Sequence, residues 1–211
     1  MDIRDRILLR ANELFMRYGI RSVTMDEIAA QLGISKKTIY LSFKDKDEIV
    51  DGVMNNHIED NEAKFAACRK SSENAMHETF IAVGEMEEML QVINPLIFYD
   101  LEKHHPGAHR KLRDHLYKFI YQMAKENLHR GIAEELYRPD INLDLVAKYR
   151  LELSFLCFNQ DIFPHNRYKL SEVNRELSLL FMHSIATPKG NKLIEKYTSE
   201  RNKHLSHESR N

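Results

Sequence analysis

A chain of 211 residues, 43% hydrophobic and 30% charged, is long enough to bury a core without metals or disulfides, and this composition excludes a disordered or fibrous protein. A formal charge of −1 excludes a surface positive throughout, yet it conceals a basic cluster: Lys36, Lys37 and Lys44 lie in a stretch from Gly33 to Lys44 with no acidic residue. Cys68 and Cys157 form no CxxC pair, no apolar run approaches the roughly 18 residues of a membrane span, and "MDIRDRILLRA" lacks a signal-peptide core, so a reduced, cytoplasmic protein is expected.

The first elements are short. Ile3, Ile7, Leu8, Ala11, Leu14, Phe15 and Tyr18 recur at three- and four-residue spacing, predicting a helix over 3–18 that Gly19 stops. Thr24 with Glu27 forms a capping box, opening a second helix with Met25, Ile28, Ala29 and Leu32 inward and Gly33 at its end. Ser35 caps a third, "KKTIYLSF", with Ile39 and Phe43 inward. Asp45 with Glu48 is a further capping box, and Ile49, Val50, Val53, Met54, His57, Ile58 and Phe65 carry a stripe down a long fourth helix.

Beyond about residue 68 the helices lengthen. They are expected over 74–91, from Pro95 to about 104, and as one long helix from Pro106 through Leu112, Leu116, Phe119, Ile120 and Met123. Another starts at Asn142 or Asp144 and is ended by Pro164, and a last one holds Val173, Leu177, Leu180, Phe181 and Ile185. The segment from 191 to 211 reads as a short helix passing into a polar, partly disordered tail. The predicted fold is all-α, with a head over 1–48, a helical bundle over 49–190 and the tail beyond.

Two short helices joined by "LGIS" have the layout of a helix-turn-helix, whose second helix enters the major groove. Lys36, Lys37 and Thr38 stand in the first turn of that helix, where the dipole favours phosphate, and Tyr40 points outward between two buried residues, placed to donate its hydroxyl to a phosphate. Lys44 and Lys46 fall on the same face. Taken singly, Lys37 also reads as a solubilising side chain and Tyr40 as a packing residue. Their coincidence on one surface favours DNA.

The segment "ILLRANELFMRYGIRSVTMDEIAAQLGISKKTIYLSFKDKDEIV" resembles the TetR family of transcriptional regulators, through Phe15, Tyr18-Gly19, Thr24, Ile28-Ala29, Leu32-Gly33, Ser35, Thr38-Ile39-Tyr40, Phe43 and Lys46. The resemblance covers about a quarter of the chain. It implies a homodimeric regulator, usually a repressor, that binds a palindromic DNA operator, with a C-terminal domain that takes a small molecule and dimerises through its last two long helices. It also implies phosphate contacts from Thr38 and Tyr40, a backbone anchor at Lys46, and Lys36 and Lys37 at or near base edges. The DNA-binding set is Thr24, Ser35, Lys36, Lys37, Thr38, Tyr40, Ser42, Lys44 and Lys46. A long cation at Lys37 and a small hydroxyl at Ser42 depart from the family's usual residues, so base preference cannot be borrowed from relatives.

Candidate effector-binding residues are Phe80, Met86, Met89, Phe98, Tyr99, Tyr117, Tyr121, Met123, Phe155 and Phe158, which also suit an ordinary core. The expected effector is apolar or aromatic. Leu151, Phe155, Leu177, Leu180 and Phe181 are candidates for the dimer interface. His104, His105 and His109 invite a metal reading, but Pro106 and Gly107 break their register and no cysteine joins them. Cys157 has no visible base beside it, so no metal, cofactor or enzymatic activity is expected. The competing readings are a helical adaptor or small-molecule-binding protein without DNA binding, and an activator of the same architecture.

Overall fold

The computed structural model describes residues 1–208, with side chains to residue 202. Its helices are α1 (Ile3–Tyr18), α2 (Met25–Leu32), α3 (Lys36–Ser42), α4 (Lys46–Ser71), α5 (Ala75–Val92), α6 (Ile97–His104), α7 (Pro106–His115), α8 (Tyr121–Ala133), α9 (Leu143–Leu156), α10 (Leu170–Ile185) and α11 (Pro188–Glu208). The chain is all-α; one isolated bridge, Tyr137 with Ala186, is the sole extended pairing among the described residues.

Two compact units divide it. The first comprises Met1–Ala63 with Met89–Leu116, and the second Lys64–Glu88 with Tyr117–Asn211. The position after residue 48, expected as a boundary, lies inside the continuous helix α4.

In the first unit the predicted stripes converge. Ile7, Ala11 and Phe15 from α1, Ile28 from α2, Ile39 from α3, Phe43, and Ile49 and Val50 from α4 are fully or almost fully buried, and each of the larger side chains, Ala11 excepted, contributes about 1.5–3 kcal/mol of hydrophobic stabilisation. The caps follow the sequence. Thr24 Oγ1 accepts from the Glu27 N–H at 3.2 Å while the Glu27 carboxylate accepts from the Thr24 N–H at 2.7 Å. Gly33 adopts φ +65°, and a Cβ added there would meet nothing within 4 Å, so it is the left-handed backbone, not crowding, that asks for glycine. At α4 the box is altered: Asp45 caps the Glu48 N–H at 3.0 Å, but the Glu48 carboxylate turns to the Lys44 N–H at 2.8 Å. Tyr18, expected inward, is exposed.

This unit also contains α6 and α7. Asp47, Asp51 and Glu62 on α4 meet His105, Lys111 and His115 at 2.6, 2.5 and 3.5 Å, clipping α7 along α4.

The second unit is built on Ala75, Met76, Leu128, Leu136, Tyr137, Ala147, Leu153, Phe181, Met182, Ile185 and Tyr197. Tyr137 is its hub: its hydroxyl donates to the Ala75 carbonyl at 3.0 Å and lies 3.1 Å from Asn127 Oδ1, and burial pushes its pKa upward.

Three expectations are corrected. The single long helix after Pro106 is α7 and α8 separated by a π-helical segment, Leu116–Ile120. Helix α9 stops at Leu156, well before Pro164. The supposed polar tail forms α11, which runs through Glu208 because Ile194 and Tyr197 are buried against the core; residues 209–211 lie outside the described residues. Two apolar anchors, spaced one turn apart, suffice to dock a helix whose other faces are polar.

Candidate nucleic-acid interface

Helix α3 has seven residues and buries only Ile39. Phe43, at i+4, completes the inward contact, and Lys37, Tyr40 and Leu41 stay exposed on the other faces. Ser35 Oγ accepts from the Thr38 N–H at 3.1 Å and lies 2.8 Å from Thr38 Oγ1, so both hydroxyls serve the cap.

The predicted contact residues divide into two groups. Lys37, Tyr40 and Lys44 stand exposed, Tyr40 at 48%. Lys37 makes no ion pair among the described residues. The others have partners within the chain. Thr24 is engaged in its capping box. Lys36 Nζ bonds Asp26 at 2.7 Å, which raises its pKa and returns part of its charge to α2. Ser42 is partly buried, and its carbonyl accepts from Arg4 at 2.5 Å. Lys46 Nζ donates to the Ile20 carbonyl at 2.6 Å and lies 5.9 Å from the Phe15 ring centre; burial pulls its pKa down against the opposing pull of Asp100.

Three residues escaped the sequence reading. Leu41, 79% exposed, is the most open apolar side chain on α3, suited to a thymine methyl. A lone outward leucine carries no periodic signal. Arg4 bonds Ser42 and Glu48 and stacks 4.1 Å over Phe43, locking the start of α1 to the α3–α4 turn. Asp100 on α6, buried, accepts from the Arg21 N–H at 2.9 Å.

Residues 7–53 match the sequence profile of "Bacterial regulatory proteins, tetR family". Residues 7–53 therefore form a TetR-family helix-turn-helix head. The HTH-type transcriptional repressor KstR2 of Mycobacterium tuberculosis is 26% identical over 160 residues, 69% of this chain and 74% of that protein. The transcriptional activator FasR of Mycolicibacterium smegmatis is 36% identical over 56 residues, 26% of each chain. Among solved structures, a TetR-family transcriptional regulator from Agrobacterium tumefaciens superposes with a TM-score of 0.72 at 17% identity, over 87% of this chain and 97% of that one, a likeness of fold. The TetR architecture of a helix-turn-helix head followed by a helical bundle is thus present in full.

The effector candidates do not gather in one unit. Met89, Phe98 and Tyr99 belong to the first, and Phe80, Met86, Tyr117, Tyr121, Met123, Phe155 and Phe158 to the second. Met89, Tyr99 and Tyr117 face solvent, and the Tyr121 hydroxyl bonds Asp144 at the surface. Phe80 packs on Tyr197 at 5.3 Å, as core. Of the interface candidates, Leu151 and Phe181 are corrected to core residues of the single chain: both are buried by its own helices and unavailable to another copy. Phe155 and Leu177 are partly buried, and Leu180 is 67% exposed. An open groove of ≈ 580 Å³ runs between α10 and α11, lined by Leu179, His183, Ile194, Glu195, Thr198 and Ser199.

No group of three His, Cys, Asp or Glu side chains able to hold a metal occurs among the described residues. His105 is taken by Asp47, and His109 is depressed in pKa by burial. Cys68 and Cys157 are buried and unpaired, with pKa values pushed by burial to about 11 and about 12, so neither is an available thiolate. No helix among the described residues is long and apolar enough to cross a membrane.

Proposed function

We propose that the chain is a homodimeric, effector-responsive transcriptional regulator that reads a two-fold-symmetric DNA operator with α3. The observation that carries this reading is the outward row Lys37, Tyr40 and Leu41 on a helix whose inward contacts and cap are complete, with Lys44 exposed just past its end. Lys44 and Tyr40 serve the phosphates and Lys37 and Leu41 the base edges; Thr38, Ser35 and Thr24 shape the turn, and Lys36 swings between Asp26 and the DNA.

A single head makes few phosphate contacts, so two copies acting together supply the affinity. The groove between α10 and α11, with Leu180 nearby on α10, supports pairing through the last two helices. An effector in the helical bundle releases or secures the operator through its difference in affinity for the two states, and a coupling of about 1–3 kcal/mol changes occupancy by roughly 5- to 150-fold. Repression is the direction favoured by the name of the relative KstR2, while FasR, named an activator, matches over the head; the position of the operator decides between them.

Duplex DNA selected from a randomised pool tests the reading. The expected result is a symmetric site, affinity falling steeply with salt, and a base preference that Lys37→Ala changes by about 1–3 kcal/mol. Salt-independent binding, or none at low ionic strength, refutes it.

A further inference from the structure

Within the second unit, the buried stripe of α10 carries polar side chains where a helical core ordinarily carries apolar ones. Asn174, Ser178 and Phe181 stand at i, i+4 and i+7, hence on one face of the helix. Asn174 is 2% exposed and Ser178 1%, and neither Asn174 Nδ2 nor Ser178 Oγ has a hydrogen-bond partner among the described residues. Buried polar atoms are almost always paired in native proteins, so these two atoms, one turn apart, require partners from outside the protein, a water or a ligand.

A charge stands at the Phe181 end of that stripe. The Arg150 guanidinium on α9 lies 5.5 Å from the centre of the Phe181 ring. Its one hydrogen bond is a long 3.4 Å contact to Ser154 Oγ, and no carboxylate pairs with it among the described residues. Desolvation lowers its pKa, opposed by the nearby Tyr137, yet an arginine stays protonated in a protein. The other arginines that reach this unit's interior are compensated: Arg130 by Glu78 and Glu134, and Arg175 and Arg201 by the buried Glu87. Arg150 is the exception.

The chemistry of these groups agrees. The guanidinium donates only, the free Asn174 atom is a donor, and Ser178 can donate. A set of donors with one net positive charge fits a group of acceptors with one negative charge. A carboxylate satisfies that; a phosphate dianion would leave a charge uncompensated in the core. The surroundings, Phe181, Tyr149 and the apolar core, accept a hydrocarbon or aromatic body. We infer that Arg150, Ser178 and Asn174 form a binding site for an organic monocarboxylate with an apolar body, the carboxylate seated on Arg150. This deepens the regulator reading by naming the chemical class of its effector, and it revises the expectation of a merely apolar one.

The test uses the full-length protein and two probe carboxylates, decanoate and 3-phenylpropionate, with 1-decanol and decyl phosphate as comparisons, in calorimetric titrations. The expected result is saturable binding of at least one carboxylate, at least about tenfold tighter than 1-decanol, with that preference abolished in Arg150→Met, partly retained in Arg150→Lys, and weakened in the double variant Asn174→Leu, Ser178→Ala. Unliganded Arg150→Met should keep or gain thermal stability, because an unpaired charge has been replaced by an apolar side chain of similar length. Failure of both carboxylates to bind the wild type, equal binding by Arg150→Met, or tighter binding of decyl phosphate overturns the inference. A large loss of stability in both Arg150 variants overturns it as well, by assigning Arg150 to the scaffold. A protein that binds its DNA site but neither carboxylate loses this inference alone; one that binds carboxylate through Arg150 but ignores DNA loses the regulator reading alone.

Discussion

The carboxylate of Asp100 holds the backbone N–H of Arg21 at 2.9 Å across 79 residues of sequence. The same oxygen would lie 3.2 Å from a Cβ on Gly19, whose φ of +82° ends α1. From the other side Lys46 Nζ grips the Ile20 carbonyl, and the Asn94 N–H donates to the Met16 carbonyl at 2.6 Å. The turn from α1 to α2 is therefore clasped by residues of α4, of α6 and of the segment before α6, and the aim of α3 depends on all of them.

Asp100→Ala removes the acceptor and leaves a partly buried N–H without a partner. Loss of about 1–3 kcal/mol from the first unit is expected, together with faster hydrogen exchange at the Arg21 amide. Asp100→Asn, which keeps an acceptor, should fall between. Unchanged exchange in the alanine variant would show that the turn holds its shape without α6.

Lys46→Met keeps the aliphatic stem and removes the ammonium. With Nζ committed to Ile20, the expected outcome is a loss of about 1–2 kcal/mol of stability, with the salt slope of DNA binding preserved. A slope smaller by about 1 would instead assign Lys46 to a phosphate, as the family resemblance implies.

Leu180→Glu and Phe181→Glu, neighbours in sequence, should behave differently. Leu180 is exposed, so its charge should dissociate the proposed dimer while each chain stays folded; Phe181 is core, so its charge should unfold the second unit. Sedimentation and circular dichroism distinguish the two. An intact Leu180→Glu dimer would move the interface off this face of α10.

Glu48 supplies a pH dependence. The Lys44 N–H, then Arg4, hold its carboxyl below its ordinary 4.5 in the folded chain. The unfolded chain then binds the proton more tightly, so this contribution is complete above about 4.5 and disappears as pH falls through the lower folded value. Acid titration of stability should show that limb in the wild type and a shallower one in Glu48→Gln. Identical acid limbs would mean that Glu48 is equally well accommodated protonated.

Local signals carry a long way in this protein. The capping box of Thr24 and Glu27, the left-handed turn at Gly33, the Ser35 cap and the inward spacing of Ile39 and Phe43 involve residues within four positions of one another, and the helices they start and stop formed as read. Local spacing likewise placed Tyr40 and Lys37 outside. Where three-to-four periodicity faded, as in α11, the reading faltered, because Ile194 and Tyr197 are held by a core assembled from distant helices and not by anything in their own segment. The partners of Lys46, Arg4 and Asp100 lie between 26 and 79 residues away, and the orphaned donors of Asn174 and Ser178 acquire meaning only beside an arginine on another helix. Helical propensity, capping and amphipathic spacing are properties of neighbours along the chain, whereas which charge is compensated and which exposed leucine finds no cover are settled when helices remote in sequence pack and exclude water.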